Sequence, residues 1–255
     1  MDFQLIIKII LLSFVQGISE FFPISSSGHL VVIQELIGFR EIPLIYDIFF
    51  HIGTLLSVII YFYKDLLSIL KGIKEKENVE FISLILVASI PTALIGLFFR
   101  KTLENMFNTP NIVGYFLLVT ALMLIFSKLI RIKKLNIYLT AFIIGTFQGI
   151  AIIPGLSRSG LTISIGLILS MGFAFSFKFS FLLSIPAIIG AMILEIGKVP
   201  FQSDHMAYLL LGAVLSAIFG YIALFILGKI ILKKKFHLFA PYCLIAGIIV
   251  VIFFI

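Results

Sequence analysis

The chain has 255 residues, of which 61% are hydrophobic and 12% charged, with a formal net charge of +7 and a mean hydropathy of +1.23. Soluble domains carry about 25% charged residues, so these figures exclude an ordinary soluble globular protein. They also exclude a nucleic-acid partner, because the basic residues lie between apolar runs as topology signals and not as a phosphate-contacting surface. The single cysteine, Cys243, excludes an intramolecular disulfide.

Taken in chain order, residues 1–20 have the outline of a signal peptide, with Lys8 ahead of an apolar stretch. No small-x-small cleavage site follows, and Glu20 leads straight into a polar motif, so the segment is read as part of the fold. The apolar stretch 4–37 is broken by Pro23 and a Ser/Gly loop, and full-length spans are expected at about 42–62, 80–100 and 111–128. A second broken stretch, 136–171, is interrupted at Pro154, and three more spans are expected at about 178–196, 207–228 and 237–255. The runs are continuous and do not alternate, which argues for helices over a barrel. Each side of either break is short for a crossing. Irregular backbone survives at membrane depth only under a cover of protein or trapped water, so both broken stretches are expected to be re-entrant hairpins of two half-helices. If they instead cross fully, the charge pattern has to be argued again.

Twelve of the nineteen Lys and Arg residues fall in three groups: Lys64, Lys71, Lys74 and Lys76; Lys128, Arg131, Lys133 and Lys134; Lys229, Lys233, Lys234 and Lys235. Alternating spans bring all three to one side, which is therefore cytoplasmic. Arg40, Arg100 with Lys101, and Lys198 mark the lightly charged opposite side, where both termini then lie. The first hairpin enters from outside and the second from the cytoplasm.

Residues 16–28 and 148–160 repeat one another: Gln16-Gly-Ile-Ser-Glu-Phe-Phe-Pro-Ile-Ser-Ser-Ser-Gly28 aligns with Gln148-Gly-Ile-Ala-Ile-Ile-Pro-Gly-Leu-Ser-Arg-Ser-Gly160. Six of the thirteen positions are identical, and the prolines miss register by one residue. The expected fold is an all-α polytopic integral membrane protein with one membrane domain, 1–255. Its halves, 1–135 and 136–255, are each a re-entrant hairpin plus three transmembrane helices, with inverted topology. Broken helices of inverted repeats commonly build a binding site near the midplane.

Glu20 and Arg158 are the costliest residues in the chain, since a buried ionisable group costs about 2.5–3.5 kcal/mol on insertion scales. The structural alternative is a salt bridge tying the two hairpins together, but ion pairs at low dielectric stabilise poorly for their desolvation cost. Arg158 lies between Ser157 and Ser159 at the expected start of a half-helix, where a guanidinium fork and free amides suit a phosphate. If the first helix restarts near Ser25, Ser26 and His29 share a face at its N-terminus. A hydroxyl within reach of an imidazole fits nucleophilic displacement at phosphorus. Gln16 and Glu20, four residues apart, share the face before the break, where Glu20 can take a proton or bind a divalent cation. Among Ser25, Ser26 and Ser27, one is expected only to cap a helix. Asp47 and His51 read as a supporting or packing pair, and Glu35 and Glu195 as residues reaching interfacial water.

QGISEFFPISSSGHL at 16–30 and PGLSRSGLT at 154–162 resemble the two signature motifs of the undecaprenyl-diphosphate phosphatase family, also called bacitracin-resistance proteins. HIGTLLSV at 51–58 and SIPAIIG at 184–190 stand where that family has similar segments. The resemblance implies a membrane enzyme that removes the terminal phosphate of undecaprenyl diphosphate and so regenerates a carrier lipid for cell-wall polymers. By position, Ser26 and His29 match the family's catalytic Ser/His, Glu20 its second acidic residue, and Arg158 its phosphate-binding arginine. Gln16 stands where many members have Glu, which weakens any mechanism needing two carboxylates there. Ser25, Ser27, Ser157, Ser159 and Gln16 complete the expected phosphate site, and Mg²⁺ or Ca²⁺ is the expected cofactor, with Glu20 as ligand. The expected site lies in the cell membrane and opens to the outer face. A polyprenyl tail is expected in a groove open to membrane lipid, with Gly145, Gly149 and Gly166 thinning the helices. The rival reading is a transporter or flippase of polyprenyl phosphate, which would use the same arginine and amides but not Ser26 and His29 beside Glu20. Monomer and homodimer both stay open.

Overall fold

The computed structural model describes residues 3–38, 44–99, 106, 109–196 and 205–254. Arg40, Arg100, Lys101 and Lys198, the sparse charges expected on the outer side, lie outside the described residues. All regular structure among the described residues is helical. In chain order the helices are α1 (Phe3–Phe21), α2 (Ser26–Leu36), α3 (Leu44–Tyr61), α4 (Tyr63–Lys71), α5 (Lys76–Phe98), α6 (Pro110–Leu129), α7 (Ile137–Ile150), α8 (Arg158–Ile168), α9 (Phe173–Ile196), α10 (Met206–Leu232) and α11 (Ala240–Phe254). A 3₁₀ turn, Phe236–Phe239, leads into α11.

Among the described residues six segments are long and apolar enough to cross a membrane, and the α3–α4 pair, bent by 67°, makes up to seven. The chain is a multi-pass membrane protein. Pro91 and Pro186 sit inside α5 and α9, as transmembrane helices tolerate where neighbours re-satisfy the freed carbonyls.

Two expectations change in detail. α1 runs for 19 residues and by itself passes the length and hydropathy requirement for a span; the other three helices of the two broken stretches, α2, α7 and α8, are short at 11, 14 and 11 residues. Pro23 still dictates the break, since its ring and missing N–H do not allow a continuous helix through the loop. The helical run of the expected span 42–62 does not stop at residue 62 but continues, bent, into α4. It turns at Phe62, whose buried ring lies 5.6 Å from Phe177 and 6.4 Å from Phe181. Asp65, one turn further, holds Lys178 of α9 at 2.5 Å.

Both broken stretches fold back on themselves. Ile132, just before α7, donates its N–H to Ile168 O at the end of α8, 2.9 Å away, so the α7–α8 pair leaves where it entered. The bend between α3 and α4 and the connections after α6 and α10 meet at that same end, where Phe62, Phe177 and Phe236 share one apolar cluster and Arg131 lies over the Phe173 ring at 5.8 Å. In the α1–α2 pair, Ile9 and Leu12 pack with Leu30, and with Tyr46 and Leu209 beyond. The turns of the two pairs lie side by side within the bundle, between α6 and α9. The helices come close through small residues: a Cβ on Gly53 of α3 or Gly145 of α7 would land on the carbonyl of Ala213 or Ala88.

Candidate active site

The Ser/Gly motifs do the same local work twice. Ser25 caps α2 by accepting from Gly28 N at 3.2 Å, and Ser157 caps α8 by accepting from Gly160 N at 3.0 Å. Ser27 and Ser159 lie beside their caps, with hydroxyl oxygens 3.4 and 3.3 Å away. The two turns are also sewn together. Gly155 N donates to Ser25 Oγ at 3.1 Å, and Ser159 Oγ donates to Phe22 O at 3.4 Å. Thr120 of α6 holds the second turn by donating to Gly155 O and accepting from Ser157 N. Close approach explains the glycines: a Cβ on Gly28 would sit 3.0 Å from Gly155 N. Gly155 has φ +95°, and its Cβ would strike the Val113 carbonyl. Ser25 itself holds φ 70°, an uncommon conformation for a residue with a side chain.

Capping puts Ser26 and Arg158, which occupy the same position of the two motifs, at the first turn of α2 and of α8. Glu20, near the end of α1, receives both. Ser26 Oγ donates to Glu20 Oε2 at 2.6 Å, and Arg158 Nη2 donates to Oε1 at 2.6 Å. Gln16 Nε2, one turn back on α1, donates to Oε2 at 3.3 Å. Glu20 and Arg158 are nearly buried, with side-chain exposures of 8% and 16%, and the guanidinium lies 5.8 Å from the Phe181 ring centre. Two polar atoms here have no partner among the described residues: Arg158 Nη1 and Gln16 Oε1. Gln16 cannot turn its amide over, because its oxygen would then face the carboxylate. A buried donor and a buried acceptor thus stand unused around a hydroxyl–carboxylate pair, and unused buried polar groups are costly unless something else meets them.

The structure therefore brings Ser26, Glu20, Arg158 and Gln16 together across the two motifs. It does not bring Ser26 to His29. His29 Nδ1 lies 2.7 Å from Ser25 O and Nε2 lies 2.6 Å from Tyr242 Oη, so both ring nitrogens are engaged elsewhere, and Ser26 turns to the carboxylate. The helical spacing that puts residues 26 and 29 on one face fixes neither rotamer. Ser25, Ser157 and Ser159 are buried and held by capping and loop contacts, in place of the expected open phosphate ligands. Ser27 stays half-buried. Asp47 and His51 do not pair through their side chains: His51 Nδ1 donates to the Asp47 main-chain O at 2.8 Å, and Asp47 Oδ1 accepts from Gln34 at 3.3 Å. His51 instead presents Nε2 to Glu20 Oε2 at 3.9 Å. The sequence carries the signal of a histidine inside a span, but not its destination, because the approach of α3 to α1 is tertiary.

An apolar cavity of about 340 Å³ opens beside the site, between α2, α6 and α11. His29 and Tyr242 are its polar members, and Val32, Leu117, Ile245 and Ile249 line it with them. The glycines expected to thin a groove do other work. Gly145 and Gly149 seat α7 against α5, and a Cβ on Gly166 would lie 2.7 Å from Ser176 Oγ, so they close helix contacts and do not line the cavity.

The family described as bacitracin resistance protein BacA matches residues 9–249. The chain is similar to a protein of Methanosphaera stadtmanae named undecaprenyl-diphosphatase, 40% identical over 270 residues and covering 97% of each chain. A protein of the same name from Halothermothrix orenii is 40% identical over 255 residues, again 97% of each. One from Thermosipho africanus is 39% identical over 246 residues, 94% of this chain and 97% of the relative.

Proposed function

Because the chain belongs to the bacitracin resistance protein BacA family, we propose that it is an undecaprenyl-diphosphatase whose chemistry runs at Glu20, Ser26 and Arg158. The observation that carries the site is a serine hydroxyl 2.6 Å from a buried carboxylate that an arginine holds from its other oxygen. Glu20 polarises the Ser26 O–H. Ser26 Oγ attacks the terminal phosphorus, its proton passes to Glu20, and the bond to the lipid-linked phosphate oxygen breaks with its electrons leaving on undecaprenyl phosphate. Glu20 passes that proton to the departing phosphate oxygen. Water then attacks the phosphoserine phosphorus, and Glu20 takes a proton from the water and returns it to Ser26 Oγ as the P–Oγ bond breaks. Phosphate is released and Ser26 regains its hydroxyl. Arg158 serves in two directions: Nη2 fixes the carboxylate, and Nη1, without a partner among the described residues, is the donor available to a phosphate oxygen. The first turns of α2 and α8 add amide N–H groups and positive dipole ends around the same anion.

A divalent cation is part of the proposal. Mg²⁺ is commonly held by one or two protein oxygens plus substrate phosphates, and Glu20 with the unpartnered Gln16 Oε1 supplies such a pair. Bound there, it would neutralise charge on the diphosphate and its leaving group. The glutamine in place of a second carboxylate makes a weaker site. Among the described residues no group of three or more His, Cys, Asp or Glu gathers to hold a metal.

The two broken helix pairs are read as the hairpins of an inverted repeat, halves 1–135 and 136–255. Support comes from the repeated capping geometry and from the fold-back of each pair on itself. The site is read as opening to the outer face of the cell membrane, opposite the basic connections. The first isoprene units of the substrate enter the apolar cavity beside His29 and Tyr242.

Phosphate release from undecaprenyl diphosphate by the purified protein, with and without Mg²⁺ or Ca²⁺, tests the reading. Turnover is expected from the wild type, with a fall of at least about a hundredfold in Ser26→Ala and trapped phosphoserine after acid quench. Vigorous turnover by folded Ser26→Ala would discard the covalent route. Tight lipid binding without phosphate release would move the assignment to transport.

A further inference from the structure

The last helix, with the 3₁₀ turn that leads into it, grips the turn that carries Ser26 from three contact positions on one face. The Phe239 ring lies 5.1 Å from the Phe22 ring. Cys243 Sγ contacts Pro23 O at 3.3 Å. Between them Tyr242 reaches His29: hydroxyl to Nε2 at 2.6 Å, with the two rings nearly parallel, 5.7 Å apart and 13° between planes. Positions 239, 242 and 243 share a helix face by their i, i+3, i+4 spacing.

The hydrogen-bond chain fixes the imidazole's proton. Ser25 O can only accept, so Nδ1 carries the hydrogen at that 2.7 Å contact. In the neutral imidazole Nε2 is then the acceptor, and Tyr242 O–H donates to it. Both ring nitrogens of His29 are engaged, so none is left for Ser26. The imidazole acts as a strut from α11 to the carbonyl of Ser25, the strained residue that caps α2 and ties in Gly155. Ser26 is the next residue.

We propose that Tyr242 is a positioning residue of the phosphatase reaction: through His29 it fixes the backbone that delivers the Ser26 hydroxyl to Glu20. The inference rests on the phosphatase reading for its kinetic consequence, but the contact it names is independent of that reading. Tyr242 is 46% exposed and its ring walls the apolar cavity, so two roles have to be separated. Loss of the hydroxyl alone disturbs the strut and lowers kcat; loss of the ring opens the cavity and raises KM for the long-chain lipid.

The test compares Tyr242→Phe and Tyr242→Ala with the wild type on undecaprenyl and farnesyl diphosphate, and records the imidazole ¹⁵N spectrum of histidine-labelled protein, with His29 assigned by its loss in His29→Asn. Tyr242→Phe is expected to lower kcat two- to tenfold, the range of one lost hydrogen bond, with KM unchanged for both lipids. Its His29 Nε2 signal should leave the hydrogen-bonded position. Tyr242→Ala is expected to add a rise in KM for the undecaprenyl substrate only. A Tyr242→Phe protein with wild-type kcat and an unmoved His29 signal would overturn the proposal, as would a KM effect without a kcat effect. Wild-type protein that released no phosphate would instead overturn the phosphatase reading, and the His29 signal would still decide whether Tyr242 holds the imidazole.

Discussion

Glu20 carries two requirements that pull against each other. As the partner of buried Arg158 it must be ionised, and as the acceptor of the Ser26 proton it must be able to lose that charge. One oxygen for each partner reconciles them: Oε1 faces the guanidinium and Oε2 the hydroxyl. Glu20→Gln keeps the shape but removes the base and leaves the guanidinium without a counter-charge. Turnover is expected to fall about 10²–10⁴-fold, the range for a general base. KM should hold or fall, because Arg158 is then free to meet phosphate with both nitrogens. Arg158→Lys has the opposite signature. A single ammonium lacks the planar fork that serves a carboxylate and a phosphate at once, so KM rises more than kcat falls. Steady-state kinetics of the two variants in one detergent separates the roles, and equal kcat losses at unchanged KM would contradict them. These residues were legible in the sequence for a simple reason: a carboxylate and an arginine inside apolar runs stand out against their cost. Tyr242 and His51 were not. An aromatic among Ile and Leu reads as lipid-facing, and the tyrosine lies 213 positions from its partner.

At the scale of elements, the two turns are held at backbone distance where Gly28 meets Gly155, and Gly155 is pressed against α6 as well. Its φ of +95° is strained for any L side chain, and the Val113 carbonyl and Phe116 Cβ occupy the space a methyl would need. Gly155→Ala is expected to destabilise the protein by about 1–3 kcal/mol, as overpacking does, and to lose more activity than stability, since Gly155 N also holds the Ser25 cap. Gly145→Ala supplies the control. It wedges α7 from α5 with comparable overlap but touches no residue of the Glu20 cluster. Thermal unfolding in detergent should fall in both, with specific activity per folded protein lost mainly in Gly155→Ala. Equal retention of activity would mean that the turn-to-turn contact is only packing. The breaks themselves were readable from Pro23 and Pro154, because proline ends a helix whatever surrounds it. The bend at Phe62 was not, since no proline or glycine marks it. Aromatic packing on Phe177 and Phe181 and the Asp65–Lys178 pair fix it from another part of the chain.

The whole molecule does not divide where its sequence repeats. α10 of the second half packs along both α1 and α3 of the first, and α11 lies against α6. The turn of the first half is sewn by Gly155 and gripped by the face of α11, both from the second half, while Thr120 of the first half holds the turn of the second. Repetition in the sequence reports a local device used twice, capped serine before a helix; it cannot report how two copies interlock, which depends on side-chain packing between remote helices. A chain cut in the connection Ile130–Asn136, between the basic ends of α6 and α7, tests this directly. Neither fragment 1–132 nor fragment 133–255 should release phosphate alone, because Glu20 and Ser26 lie on one and Arg158 and Tyr242 on the other. Co-expressed, the fragments should co-purify and recover activity, since the cut falls where the chain only crosses between elements and most of the contact area survives. The same connection sets the orientation. Single cysteines in a Cys243→Ser background at Lys74, Lys134 and Lys234 should all label from the cytoplasmic side, as the three basic groups require. Labelling of Lys234→Cys from the side opposite to Lys134→Cys would break the inverted arrangement of the halves, because an odd number of crossings would then separate two connections between which lie only the α7–α8 pair, which leaves where it entered, and the two spans α9 and α10.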